Sequence, residues 1–189
     1  MYIVDVARQY IGVEEGSNDH HRIIDEYNTI NPLPRGYHVS YDDSWCAVFV
    51  SLCARRAGYG DFPFECGVFE MLRKWTGAYR IVSSGQPNDV IFFSYSHIGI
   101  IERVENGNYV TIEGNASNAV RRQEHSIGAN YIRAFGRLPV AVPEDLELVA
   151  RKVIAGQYGN QPERETRLKA DGYDYNVVQS MVNSMLNVK

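Results

Sequence analysis

His97-Ile98-Gly99-Ile100-Ile101-Glu102-Arg103-Val104, then Glu105-Asn106-Gly107-Asn108, then Tyr109-Val110-Thr111-Ile112-Glu113-Gly114-Asn115 form the stretch on which the fold turns. Two runs rich in Ile, Val and Tyr, parted by a short segment with Asn-Gly, read as a β-hairpin. A three-residue loop, with a type I turn at Glu105-Asn106 and Gly107 left-handed as a bulge, sets Val104 opposite Asn108. That register puts His97 opposite Asn115 and Gly99 opposite Glu113. All four then share one face, with Glu113 diagonal to His97 and within reach of it. A two-residue Asn-Gly turn would shift the pairing by one and send Glu113 to the other face. The three-residue loop is the expectation, because it lets an imidazole meet a carboxylate. Gly99 then leaves room on that face for a substrate. Polar residues at a hairpin edge are the plainer explanation of Glu113 and Asn115.

Outward from the hairpin, residues 90–94 and 131–138 have the same strand composition. Before them, apolar spacing predicts helices over 3–10, 22–27, 45–56 (stopped by Gly58) and 68–75. Helices first and antiparallel strands after make an α+β domain. The pattern changes near residue 140. A bridge of Pro139-Val140-Ala141-Val142-Pro143 precedes three short amphipathic segments, so the expected organisation is a domain over 1–140, a linker over 141–145 and a three-helix module over 146–189. In the module, Leu146, Val149, Ala150, Val153 and Ile154 make one stripe, and Val178, Met181, Val182, Met185 and Leu186 another. Asn160 and Asp174 stand where they could cap its second and third helices.

Composition bounds the function. The 189 residues carry a net charge of −4, and neither part is basic, which argues against a nucleic-acid partner. No apolar run approaches the roughly 20 residues of a membrane helix, so no membrane insertion is expected. The N-terminus begins directly with helical spacing and lacks the features of a signal peptide. Synthesis in the cytoplasm, with release by other means, is the expectation. Cys46, Cys53 and Cys66 cannot all pair and lack zinc-knuckle spacing, so no metal site is expected.

Asp42-Asp43-Ser44-Trp45-Cys46-Ala47-Val48-Phe49-Val50 is the second informative stretch. With Asp43 or Ser44 as the cap, Cys46 falls in the first helical turn, where unpaired N–H groups and the helix dipole favour a thiolate. From this segment alone Cys46 reads equally as a nucleophile or as a buried structural cysteine. Cys53 and Cys66 read as structural. His97 opens a rigid strand and is the candidate base, whereas His20, His21, His38 and His125 lie in polar segments and read as solvated surface. If the groups meet, His97 takes the Cys46 proton, Glu113 fixes the ring, and Cys46 attacks an amide carbonyl.

These residues resemble the CHAP family, cysteine- and histidine-dependent amidohydrolases and peptidases of the papain-like class. The likeness rests on Trp45-Cys46-Ala47 with Phe49-Val50, on His97-Ile98-Gly99-Ile100-Ile101-Glu102, and on Ile112-Glu113-Gly114-Asn115. It implies a papain-like domain that cleaves a peptidoglycan amide bond, with catalytic Cys46, His97, Glu113 and Asn115. Some members bind calcium just before the cysteine. Asp42 and Asp43 stand there, but no Asp-x-Asp-x-Asp-Gly loop is present and capping accounts for both. No cofactor is therefore expected, calcium being the one metal that the resemblance allows. The segment between Val90 and His97 is short for the family.

The tail is similar to the three-helix cell-wall-binding repeat of lysins from phages of Gram-positive hosts, through Val153-Ile154-Ala155-Gly156, Tyr158-Gly159-Asn160, Arg167-Leu168, Gly172-Tyr173-Asp174-Tyr175 and Val182-Asn183. It departs from that repeat at Tyr158, where Trp is usual, and at Gln161-Pro162, which replaces a glycine turn. The similarity implies binding of the muropeptide, for which Arg164, Arg167, Tyr173 and Asp174 are the candidate contacts. Together the two resemblances imply a phage endolysin, an amidase or endopeptidase whose partner is bacterial peptidoglycan and which a holin would release. A bacterial autolysin and a non-catalytic wall-binding protein are the alternatives. Nothing in the sequence sets an oligomeric state.

Overall fold

The computed structural model describes residues 2–75, 79–138, 144–170, 173 and 175–186. The chain divides into two compact units, Met1–Ala141 and Val142–Lys189. The expected bridge at 139–143 lies outside the described residues, and the last two positions of the expected linker, 144–145, already belong to a helix that starts at Glu144.

In the first unit, helices α1 (Ile3–Arg8), α2 (Asn18–Asn28), α3 (Cys46–Arg56) and α4 (Val68–Arg73) precede the strands. These are β1 (Arg80–Val82), β2 (Val90–Phe93), β3 (His97–Glu105), β4 (Asn108–Glu113), β5 (Arg121–Ser126) and β6 (Ile132–Arg137). They form one antiparallel sheet in the order β1-β6-β2-β3-β4-β5, the α+β arrangement expected. Helix α2 starts earlier than its apolar residues suggest, because Ser17 accepts the His20 N–H and caps it. Helix α3 is buried along nearly its whole length and ends at Gly58, which is left-handed at φ 92°.

The main core joins Ile3, Ile24, Phe49 and Leu52 of the helices to Val90, Phe92, Ile98, Ile100 and Ile112 of the sheet. Each such fully buried side chain contributes roughly 1.5–3 kcal/mol. The opposite face of the sheet is also covered: Ile91, Phe93, Ile101, Tyr109 and Phe135 form a second cluster. The segment at Gly85 presses on it so closely that a Cβ there would lie 2.4 Å from Ile101. Burial on both faces explains why the central strands read as unbroken apolar runs.

The hairpin differs from expectation at one end only. Its turn is the two-residue Asn106-Gly107, both left-handed (φ 50° and 76°), with Glu105 opposite Asn108. This is the primed turn whose twist matches that of the flanking strands. The three-residue loop is thus corrected, yet Ile100 still pairs with Ile112 and Ile101 with Thr111. A bulge between Ile101 and Arg103 restores the register. The extra residue is Glu102, whose buried carboxylate accepts from Arg8, Arg103 and Arg122. Arg122 first, then Arg8, outweigh its burial and hold its pKa down at about 2.

The second unit consists of α5 (Glu144–Ile154), α6 (Glu163–Ala170) and α7 (Tyr175–Met185). Leu146, Val149, Ala150 and Val153 pack with Tyr158, Leu168, Val178 and Val182, whereas Ile154 and Leu186, expected on the same stripes, are exposed at their edges. Helix α6 begins after Pro162, and the Asn160 carbonyl accepts the Arg164 N–H at 2.9 Å.

Candidate active site

The indole before Cys46 anchors the helix tip. Trp45 is fully buried, donates from Nε1 to Glu15 at 2.9 Å, and packs on His20 with ring centres 4.8 Å apart. Cys46 is then the first residue of α3. No side chain caps this helix, contrary to the expectation for Asp43 or Ser44. Asp43 instead accepts the Ser40 N–H at 2.8 Å and the Tyr37 hydroxyl at 2.9 Å, which closes the loop leading to the helix. Uncapped, the first turn presents its N–H groups beside the sulfur. One turn on, Phe49 fixes the approach of the helix to the sheet. A Cβ at Gly114 would lie 2.5 Å from the Phe49 Cβ, so only glycine permits that contact.

Gly114 directly follows Glu113, so the same contact brings the end of β4 to the helix tip. Glu113 is buried and accepts three hydrogen bonds. His97 Nε2 lies 2.8 Å from its Oε2, His125 Nε2 lies 2.7 Å from its Oε1, and the Thr111 hydroxyl also donates to Oε1. Burial alone would raise the Glu113 pKa, but donors from His125, His97 and Thr111 hold it at about 2. With Nε2 given to Glu113, Nδ1 is the ring nitrogen of His97 left for Cys46. Burial opposes the charged form of His97, yet hydrogen bonds with Cys46 and Glu113 and their charges lift its pKa to about 9. The ring is therefore protonated at neutral pH. Cys53, by contrast, is wholly buried, and burial pushes its thiol well up and out of reach of such chemistry.

Gly99 leaves space on this face, as the hairpin implied, but Glu113 fills it rather than a substrate. A Cβ at Gly99 would lie 2.7 Å from the Glu113 Cγ. The open space lies at the end of the sheet, in a cleft of about 370 Å³ lined by Tyr95, His97, Glu113, Asn115, Gln123 and His125, among others. Tyr95, 56% exposed, lies parallel to Phe93 with ring centres 5.3 Å apart and borders His97 at 6.0 Å. Its partner at the corner, Ser96, is left-handed at φ 59°, a tight turn that turns β2 into β3 and delivers His97 to the cleft.

The structure thus brings Cys46, His97 and Glu113 together. Asn115, left-handed at φ 56° and half-buried, lines the same cleft, and no described hydrogen bond joins it to His97. Two histidines read as surface are not. His20 is fully buried and accepts the Gly16 N–H on Nδ1 at 3.1 Å, while His125 is 8% exposed and bound to Glu113. Thr111 and His125 were missed as site residues. The available signal was alternation in β5, where Arg121, Gln123 and His125 share the face of Glu113 through the pairs Glu113–Arg121 and Thr111–Gln123. Among the described residues, no group of three His, Cys, Asp or Glu side chains could hold a metal ion.

In the second unit, Arg164 donates to the Gly159 carbonyl at 3.0 Å and to Gln179 Oε1 at 3.3 Å, so part of its fork is used internally. Arg167 pairs with Glu163 at 2.6 Å on the surface of α6. Tyr173 is half-buried against the three-helix core. Asp174 lies outside the described residues.

Residues 36–115 match the CHAP domain model, and residues 147–186 match the CW_7 repeat. No curated protein matches the chain. One solved structure, described as the crystal structure of Ly7917 with the hydrolyzing product of MDP, aligns at 16% identity with a TM-score of 0.36. The alignment covers 50% of this chain and 53% of that one, so the chain spans about half of that protein's length.

Proposed function

Because the chain joins a CHAP domain to a CW_7 repeat, we propose that it is a peptidoglycan hydrolase that cleaves an amide bond with Cys46 as nucleophile. The observation that carries this reading is His97 held by Glu113 at 2.8 Å, with Cys46 close enough to raise the proton affinity of the ring. A ring with a raised proton affinity beside a thiol can take the proton from sulfur onto Nδ1, which frees the sulfur to attack.

The sulfur attacks the scissile carbonyl carbon, and the carbonyl oxygen takes up the negative charge. N–H groups of the uncapped first turn of α3 stand where they can receive it. As the tetrahedral species collapses, the imidazolium gives its proton to the departing amine and the C–N bond breaks. Neutral His97 next takes a proton from water, whose oxygen attacks the thioester. The acid leaves, and the proton returns the pair to its starting state. Glu113, ionised throughout, holds the ring and balances its charge.

The second unit is proposed to hold the enzyme on its polymeric substrate, with Arg164, Arg167, Tyr173 and Asp174 as candidate contacts. Such a pairing suits a phage-type lysin whose bond is either muramoyl–L-alanine or a peptide bond of the stem or cross-bridge. No calcium or other cofactor enters these steps. Purified protein acting on purified peptidoglycan, with products read by mass spectrometry, tests the reading and identifies the bond. New amino termini are expected with the parent and none with C46A. Equal release by both would overturn it.

A further inference from the structure

Glu113 meets two imidazoles, and only one of them serves Cys46. His125 reaches Oε1 from β5 at 2.7 Å, while His97 holds Oε2 at 2.8 Å. An ionised carboxylate only accepts, so both rings donate an N–H to it. For His125 this fixes the tautomer with the hydrogen on Nε2, leaving Nδ1 facing the Tyr131 hydroxyl at 3.4 Å. The ring is 8% exposed and packs on Phe93 with centres 4.4 Å apart. Both edges and one face of His125 are thus engaged, a degree of fixation that a solvated surface histidine lacks.

We propose that His125 is a positioning residue: together with Thr111 it clamps one oxygen of Glu113, and this keeps the other oxygen on His97. The proposal rests on the reading of Cys46 and His97 as the reacting pair. A carboxylate turns easily about its last bond, in a broad two-fold well. Glu113 borders an open cleft, so an unclamped oxygen pair could swing from His97 toward water. Two donors on Oε1 remove that freedom. The titratable groups around His125 are Glu113 and Tyr109 of β4, Tyr131 before β6, and Tyr95 and His97 at the β2–β3 corner, while Arg121, four residues away on its own strand, lies opposite Glu113. Of these, Glu113 is the acceptor it holds.

Alkylation of Cys46 by iodoacetamide, followed by peptide mass spectrometry to separate it from Cys53 and Cys66, tests this without any cell-wall substrate. A parent protein that alkylates as expected but releases no peptidoglycan fragments would sink the hydrolase reading alone. H125F keeps the packing on Phe93 and removes the donor. At pH 6 its Cys46 rate should fall about tenfold, the effect of one pH unit of proton affinity lost from His97. At pH 10, where an ordinary thiol is ionised, it should match the parent within about twofold. H125Q, whose amide can still donate to Glu113, should keep the parent's pH 6 rate. H125N, with too short an amide, should behave as H125F and carries the test should the phenylalanine variant not fold. An unchanged pH 6 rate in H125F and H125N, an equal loss in H125Q, or the same loss at both pH values would overturn the proposal.

Discussion

The two ends of the β3–β4 ribbon are built on different registers. At the turn, Glu105 faces Asn108 across Asn106-Gly107 and the surroundings are exposed. At the cleft, Ile100 faces Ile112 and the side chains are buried. One extra residue, Glu102, separates the two halves. Each end therefore follows its own local physics: the turn adopts the geometry that suits strand twist, and the cleft the geometry that puts Glu113 on the face of His97. The bulge reconciles them. Turn chemistry at one end of a ribbon thus does not dictate which side chains meet at the other.

The cleft end is where small changes should matter most. In G99A the added methyl meets the Glu113 Cγ at 2.7 Å. Hydrolysis should fall by about 10²-fold, since misplacing a catalytic partner by an ångström has that order of effect. Thermal unfolding should drop by much less, and a parent-like rate would show that Glu113 need not sit against β3.

The bulge comes next. In E102Q, Arg8, Arg103 and Arg122 lose their common carboxylate, which should lower stability by roughly 1–3 kcal/mol. The sign with pH follows from the depressed pKa of about 2. Glu102 stabilises above the ordinary carboxylate range, and that contribution is lost as pH falls from there toward 2. The gap in Tm between parent and E102Q should hold at neutral pH and close on acidification. A gap that widens in acid would contradict the assignment. If the bulge straightens in this variant, the register slips and hydrolysis is lost with it.

The turn end should be the most forgiving. Gly107 is left-handed, but no atom lies within 4 Å of a Cβ built there. G107A should lower stability by about 1 kcal/mol through strain alone and leave hydrolysis unchanged. A large loss of activity from G107A would mean that the two ends are coupled after all.

The same contrast explains what was legible in the sequence. Central strands such as Val90–Phe93 are covered on both faces, so their apolar runs declare them. The strands β1 and β5 lie at the two edges of the sheet, and β5 reads Arg121-Arg122-Gln123-Glu124-His125-Ser126. Edge strands carry charge and lack that signal. His125 sits in such a strand and was read as surface for that reason. Cys46, His97 and Glu113 were legible because helix start and strand alternation are local properties. The bulge was not, since its carboxylate is held by Arg8, 94 residues away in sequence. The caps expected of Asp43 and Ser44 failed in a similar way, because Asp43 closes the loop before the helix instead.

The grip on His97 is most directly tested by following its ring through a pH titration by NMR, in the parent and in E113Q. The parent ring should stay protonated through neutrality and titrate near pH 9, with its stabilising effect complete below the ordinary histidine range and lost as pH rises through 9. In E113Q the midpoint should move down toward the ordinary value. A parent midpoint near 6.5, or one indifferent to the loss of Glu113, would contradict the pairing of Cys46, His97 and Glu113.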